Sequence, residues 1–293
     1  MNRLLSRPFD SSNRLYIDLC TRRRVYYKVK KVQVLFPTLT DLIVLAIAYI
    51  WVISVLVIGE VLRRWRDYPT AMTRKFIHLG AGFSVFTVPF YTNAWAAIIV
   101  AVSFLALIFL ASPKSPIKSL KNMFEVMARE EDYLSGHIWG PFLYAISITI
   151  LVSIFTLIPQ LIPLYPLPAM ALTAMYLGDG VAPLIGAKYG KNWYKVGKSV
   201  RSIEGSLSVF IASFVGAWIC WFFLDVFATG GMPYFSLVQI VTFSLICANS
   251  AMVFEALCPA GWDNLSVPLL TAVVLMVTGF LIHPTMLSML LGP

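Results

Sequence analysis

Eight apolar runs of about twenty residues dominate this chain: 39–62, 76–92, 94–112, 136–158, 162–178, 205–229, 235–258 and 265–290. An α-helix needs about 20 predominantly apolar residues to cross the hydrocarbon core of a bilayer. Only helices and closed barrels satisfy their backbone polar groups there, and no barrel-like alternation or internal repeat is visible. The expected fold is an all-α integral membrane protein, a bundle of about eight transmembrane helices. The second run is short and contains glycine, and the fifth starts among Pro159, Pro163, Pro166 and Pro168. Either is expected to be broken or re-entrant, a form tolerated where protein or a wet cavity shields the backbone. Only 13% of the 293 residues are charged and 59% are hydrophobic. A soluble domain carries about 25% charge, so a soluble globular enzyme, a disordered chain and a nucleic-acid-binding domain are excluded.

The charge is unevenly spread. Residues 1–38 hold nine bases (Arg3, Arg7, Arg14, Arg22, Arg23, Arg24, Lys28, Lys30 and Lys31) against Asp10 and Asp18. This segment is expected to be a juxtamembrane tail that touches anionic lipid headgroups, and 39–293 a single transmembrane domain. The tail is too polar for the apolar core of a secretory signal. Alternating spans would put the connections 63–75, 113–135, 179–204 and 259–264 on one face, and these carry almost every charge outside the tail. The positive-inside rule makes that face cytoplasmic, in a plasma membrane or an endomembrane. The same count of crossings then puts the basic tail outside, an unusual place for it, or else one of the early spans does not cross. Cys20, Cys220, Cys247 and Cys258 form no CxxC pair and read as small buried hydrophobes.

Four polar clusters fall on the charged face. In the first, Arg74 and His78 share a helix face four residues apart, with Lys75 beside them. Two cations and an imidazole at a membrane entrance suit a polyphosphate, and an intramembrane ionisable residue is a functional candidate by default. The second runs from Gly178-Asp179-Gly180 through Gly186 and Lys188 to Gly190. It reads as a loop in which Asp179 suits Mg²⁺, a metal that takes one or two carboxylates plus phosphate oxygens and water. Its glycines would let backbone approach phosphate; an ordinary turn is the alternative. The third is Lys198-Ser199-x-Arg201 followed by Glu204-Gly205-Ser206 at the start of a span, where free N–H groups favour an anion. Gly197-Lys198-Ser199 is no P-loop, because Asn192 stands where the leading glycine belongs. In the fourth, Glu255 ends an apolar run and Asp263-Asn264 precedes the next. One of the latter pair is explained by helix capping. Glu255 and Asp263 with Asp179 would hold one or two metal ions.

In order, Arg74-Lys75-x-x-His78-x-Gly80, Gly178-Asp179-x-x-Ala182 with Gly186 and Gly190, Lys198-Ser199 with Glu204-Gly205-Ser206, and Glu255 with Asp263-Asn264-x-x-x-Pro268 resemble the polyprenol kinase family of dolichol and phytol kinases. The similarity runs from about residue 60 to 270. It implies a membrane kinase that transfers the γ-phosphoryl of CTP, with Mg²⁺ or another divalent cation, to the hydroxyl of a long isoprenoid alcohol. Its partners would be that alcohol within the bilayer and a nucleoside triphosphate, and no nucleic acid. In this scheme Asp179 or His78 is the base. Arg74, Lys75, Gly186, Lys188, Gly190, Lys198, Ser199, Arg201, Glu204, Gly205, Ser206 and Asn264 surround the nucleotide, and Asp179, Glu255 and Asp263 hold the metal.

Two alternatives stand beside it. The chain also resembles, more distantly, the membrane cytidylyltransferases that make CDP-lipids, but Glu204-Gly205-Ser206 stands where they carry His-Gly-Gly, and their Asp-Arg pattern is missing. An ion-coupled transporter would use intramembrane carboxylates as an ion path; the lack of inverted repeats and the bases on one face count against it.

Overall fold

The computed structural model describes residues 36–65, 69–196, 199–227, 235–259, 261–283 and 286–287. Lys198 and nearly all of the basic tail lie outside the described residues. The order is α1 (Leu39–Trp65), α2 (Thr70–Gly82), a 3₁₀ helix (Phe83–Phe90), α3 (Ala94–Leu110), α4 (Lys118–Met127), α5 (Glu130–Ser135) and α6 (Trp139–Leu157). A 3₁₀ turn (Ile162–Leu164), α7 (Pro166–Tyr189), the strands β1 (Trp193–Val196) and β2 (Ser199–Ser202), α8 (Ile203–Phe227), α9 (Leu237–Leu257) and α10 (Asp263–Ile282) complete it. Among the described residues, six helices (α1, α6, α7, α8, α9 and α10) are long and apolar enough to cross a membrane, and α3 is a shorter apolar helix. The chain is an all-α, multi-pass membrane protein.

The second apolar run is broken, as its glycines and proline imply. α2 gives way at Phe83 to the 3₁₀ helix, which contains Pro89. Proline cannot donate to an i−4 carbonyl and clashes with that turn. The fifth run behaves differently. After its proline-rich start, α7 continues without interruption to Tyr189, so Gly178-Asp179-Gly180 lies inside a helix and not in a loop. The sequence reading of 179–204 as one basic connection is corrected accordingly: only a short antiparallel hairpin, with Trp193 opposite Ser202 and Val196 opposite Ser199, links α7 to α8.

α7 is the central helix. Its span is 71% buried, against 22% for α1, and Leu167, Met170, Leu172, Met175 and Tyr176 are almost wholly enclosed. The glycines of the second and third clusters have a packing explanation. A Cβ at Gly178 would lie 3.0 Å from Ser213 Oγ, and one at Gly205 would lie 3.0 Å from Ser202 Oγ and 3.6 Å from the Cα of Gly186. Small residues let neighbouring helices approach in a bilayer, where hydrophobic burial alone does not drive association. These positions bring α7, α8 and the hairpin together.

The two ends of the bundle differ. At one end Asp41 is completely buried. Its carboxylate accepts from Thr38 N (2.8 Å) and Oγ1 (2.9 Å), from Thr92 N (2.6 Å) and Oγ1 (2.7 Å), and from Asn93 N (3.2 Å). This clasp ties the start of α1 to the start of α3. At the other end the expected polar connections meet. Thr73 Oγ1 donates to the Val126 carbonyl at 3.1 Å, and Asn122 Nδ2 to Glu60 Oε1 at 3.1 Å. The amphipathic α4 thus lies against α1 and α2. Cys220, Cys247 and Cys258 are free and buried, as their apolar surroundings imply.

Candidate active site

The helical phase of α2 sends Arg74, Lys75 and His78 toward α7. Lys75 Nζ reaches Asp179 Oδ2 at 2.5 Å and donates to the Asp179 backbone carbonyl at 2.6 Å. His78, nearly one turn further along, places Nε2 3.6 Å from the same Oδ2, beyond hydrogen-bonding distance. Nε2 is buried and makes no hydrogen bond among the described residues. The imidazole is held from behind by Tyr144, whose ring centroid lies 4.3 Å away and whose hydroxyl donates to the His78 carbonyl at 3.3 Å. A carboxylate oxygen and an imidazole nitrogen that makes no hydrogen bond therefore lie side by side, where a hydroxyl group beside them could meet both.

This pair stands at the polar end of a cavity that lies between α2, α3 and α6. Arg74, Arg129, Asp263 and Asn264 line the same end. Asp263 and Asn264 open α10, where negative charge is favoured by the free N–H groups of the first turn. Asn264 Nδ2 donates to the Gly140 carbonyl at 3.1 Å, while its Oδ1 is buried without a partner. From there the cavity runs down between α2, the 3₁₀ helix, α3 and α6, and its walls become apolar. Arg129 and Tyr144 were missed in the sequence. Arg129 precedes Glu130-Glu131-Asp132 and reads as part of a solvated face, and Tyr144 is hidden in an apolar run.

The remaining candidates form a second group around the hairpin. Arg201 ion-pairs with Glu255 through Nη1 and donates from Nη2 to the Cys258 carbonyl at 3.1 Å, joining β2 to the end of α9. Glu204, read from the sequence as a nucleotide contact, accepts instead from Lys191 N (3.1 Å), Asn192 N (3.3 Å) and Asn192 Nδ2 (3.0 Å). Ser206 pairs with Tyr194 OH at 2.5 Å. Lys188 is exposed and lies over the Tyr189 ring. Gly186, Gly190, Ser199 and Gly205 belong to this hairpin region and do not line the cavity. The three expected metal ligands are not gathered: Glu255 is turned to Arg201, and among the described residues no three His, Cys, Asp or Glu side chains form a metal-sized cluster. Asp179 and Asp263 do share the cavity's polar end. Two carboxylates suit Mg²⁺, which completes its shell with phosphate oxygens and water.

What the cavity can do chemically follows from its two ends. One end presents cations, carboxylates and an imidazole nitrogen that makes no hydrogen bond; beyond it the walls are mostly apolar, with the hydroxyls of Ser84, Thr87 and Tyr91 among them. An amphiphile with a reactive head and an apolar chain would satisfy both. No family model and no solved structure matches the chain. A curated relative, a phytol kinase of Synechocystis sp., is 30% identical over 224 residues, covering 75% of this chain and 85% of that protein. With that coverage added to the ordered motifs, the chain belongs to the polyprenol kinase family.

Proposed function

We propose that this protein is a CTP-dependent prenyl-alcohol kinase that works at the polar end of the cavity. The observation that carries the reading is the juxtaposition of Asp179 and His78, whose Nε2 makes no hydrogen bond, at the head of a largely apolar cavity. The hydrocarbon tail of an isoprenoid alcohol lies along the lower walls, and its hydroxyl lies beside Asp179 Oδ2 and His78 Nε2. The alcohol oxygen attacks the γ-phosphorus of the nucleotide, the bond to the β-bridging oxygen breaks, and CDP leaves. The alcohol proton passes to Asp179 or His78. Phosphoryl transfer asks a protein mainly for positioning and charge stabilisation, and Arg74, Lys75 and Arg129 supply cations where the triphosphate would lie. Asp179 and Asp263 would hold Mg²⁺, which neutralises phosphate charge when bound. The hairpin, with Arg201, Lys188 and Ser199, would offer a polar surface for the rest of the nucleotide.

The specific test uses purified protein in lipid nanodiscs with phytol and CTP. Prenyl monophosphate and CDP are expected, and Asp179→Ala should abolish both. Release of pyrophosphate would indicate a CDP-lipid synthase instead, and wild-type turnover by Asp179→Ala would remove Asp179 from the mechanism.

A further inference from the structure

The hairpin between α7 and α8 has two unlike faces. Side chains alternate along a strand, and residues directly opposite each other on paired strands share a face. The register therefore puts Trp193, Lys195, Val200 and Ser202 on one side and Tyr194, Val196, Ser199 and Arg201 on the other. The second side is turned inward: the Tyr194 hydroxyl pairs with Ser206 Oγ at 2.5 Å, and Arg201 pairs with Glu255. On the first side Ser202 is buried, but Trp193 and Val200 are 56% and 61% exposed, and Lys195 is exposed beside them. A two-stranded hairpin is marginal in water by itself, and a tryptophan and a valine together on its surface call for a cover.

The level of this face in the bilayer follows from α8. Ile203, Leu207, Ile211, Val215, Phe222 and Val226 are all exposed, and their spacing keeps them on one stripe of the helix. The stripe is about 35 Å long at about 1.5 Å per residue, close to the roughly 30 Å of hydrocarbon in a bilayer. It begins at Ile203, directly after the hairpin, so the hydrocarbon edge falls there. Trp193 pairs with Ser202 and stands at that edge, where indole rings concentrate. Val200 and Lys195 are two residues further along their strands, at most about 7 Å away. The headgroup layer is itself about 5–7 Å deep on each side. The outer face is therefore level with the headgroups, together with the exposed Lys191 two residues before Trp193.

We propose that the outer face of the hairpin is a docking surface for anionic phospholipid headgroups. Trp193 and Val200 rest at the edge of the hydrocarbon, and Lys191 and Lys195 reach the lipid phosphates, where each base near the surface is attracted. The face continues the lipid-facing stripe of α8, which favours lipid as its cover. A second copy of the chain is disfavoured, because a two-fold contact through the same patch would set these lysines against each other. The hairpin is thus held from within by Ser206 and Glu255 and from outside by the membrane. This seating is independent of which alcohol or nucleotide the cavity takes.

The test uses the full chain in nanodiscs of phosphatidylcholine with increasing phosphatidylglycerol. Val200→Cys carries a nitroxide in a Cys20→Ser background, since Cys220, Cys247 and Cys258 are buried. Its collisions with lipid-soluble oxygen and with a water-soluble nickel complex should fall between those of labels at Ile211→Cys, on the lipid stripe, and at Glu130→Cys, exposed on α5. A label at position 200 as open to the nickel complex as the one at position 130 overturns the seating. Phosphatidylglycerol should also raise the melting temperature of the wild type. A lysine beside an anionic surface strengthens attraction about fivefold, so Lys191→Ala/Lys195→Ala should need about fivefold more phosphatidylglycerol, or more, for half of that rise. A rise absent in the wild type, or unchanged in the variant, overturns the lipid contact. Spin–spin broadening between labels at position 200 that grows with protein density would place a second copy on the face. A KM for CTP raised by the lysine variant in pure phosphatidylcholine, with the lipid response intact, would give the lysines to the nucleotide. Either result overturns the proposal.

Discussion

The Lys75–Asp179 pair separates a structural role from a chemical one. Its side chains are 11% and 21% exposed, so the pair is largely but not wholly withdrawn from water. Breaking a fully buried pair by removing one partner costs about 3–5 kcal/mol, because the other charge is left uncompensated. The residual exposure lowers the expected cost here to about 2–3 kcal/mol for either Lys75→Met or Asp179→Asn. The double variant leaves no orphaned charge, so its loss should be smaller than the sum of the singles by about 2 kcal/mol. Turnover should behave differently. Loss of a general base typically removes about 10²–10⁴-fold, and loss of a metal-holding carboxylate should remove more. The double variant should therefore be about as stable in detergent as either single variant, and recover no phosphotransfer. Phosphotransfer restored in the double variant would show that the pair only holds α2 to α7, and the site described above would be wrong.

Three further outcomes follow from the geometry. Asp41→Ala should lower stability by about 3 kcal/mol, since it strips the acceptor from several donors at once, and should leave KM for both substrates near wild type. Gly82→Ala would place a Cβ 2.4 Å from the Tyr176 ring; that ring is wholly buried, so overpacking of about 1–3 kcal/mol should appear as a lower melting temperature. Chelation of divalent cations should abolish turnover while leaving the melting temperature of the nucleotide-free protein unchanged; turnover that persists in excess chelator would exclude Asp179 and Asp263 as metal ligands.

The bundle was legible because a bilayer imposes its thickness on the sequence, and the broken second element was marked by its shortness and its glycine. Inside the apolar runs, periodicity says little, because lipid-facing and core-facing residues are alike. The sequence therefore could not tell that α7 passes through the centre, or that Gly178-Asp179-Gly180 is helical. A helix breaker beside an acid normally signals a turn; close packing against Ser213 and Val209 overrides that preference. Asp179, Lys75 and His78 were visible as ionisable groups near apolar runs, and the fold brings them within reach of one another. Glu255 and Glu204 were visible for the same reason, yet Arg201 and the Lys191–Asn192 turn occupy them. Charge in a membrane protein marks candidates, and partner geometry decides among them. Asp41 is not singled out by the sequence, because the clasp it makes depends on Thr92, 51 residues away.

The most direct measurement is the transfer of γ-labelled phosphate. Purified protein with Mg²⁺ and a short prenyl alcohol is supplied in parallel with γ-labelled CTP, ATP, GTP and UTP. The expected result is label in the prenyl monophosphate, fastest from CTP and lost in the variant Asp179→Asn. Label that never reaches the alcohol from any of the four nucleotides would contradict the account.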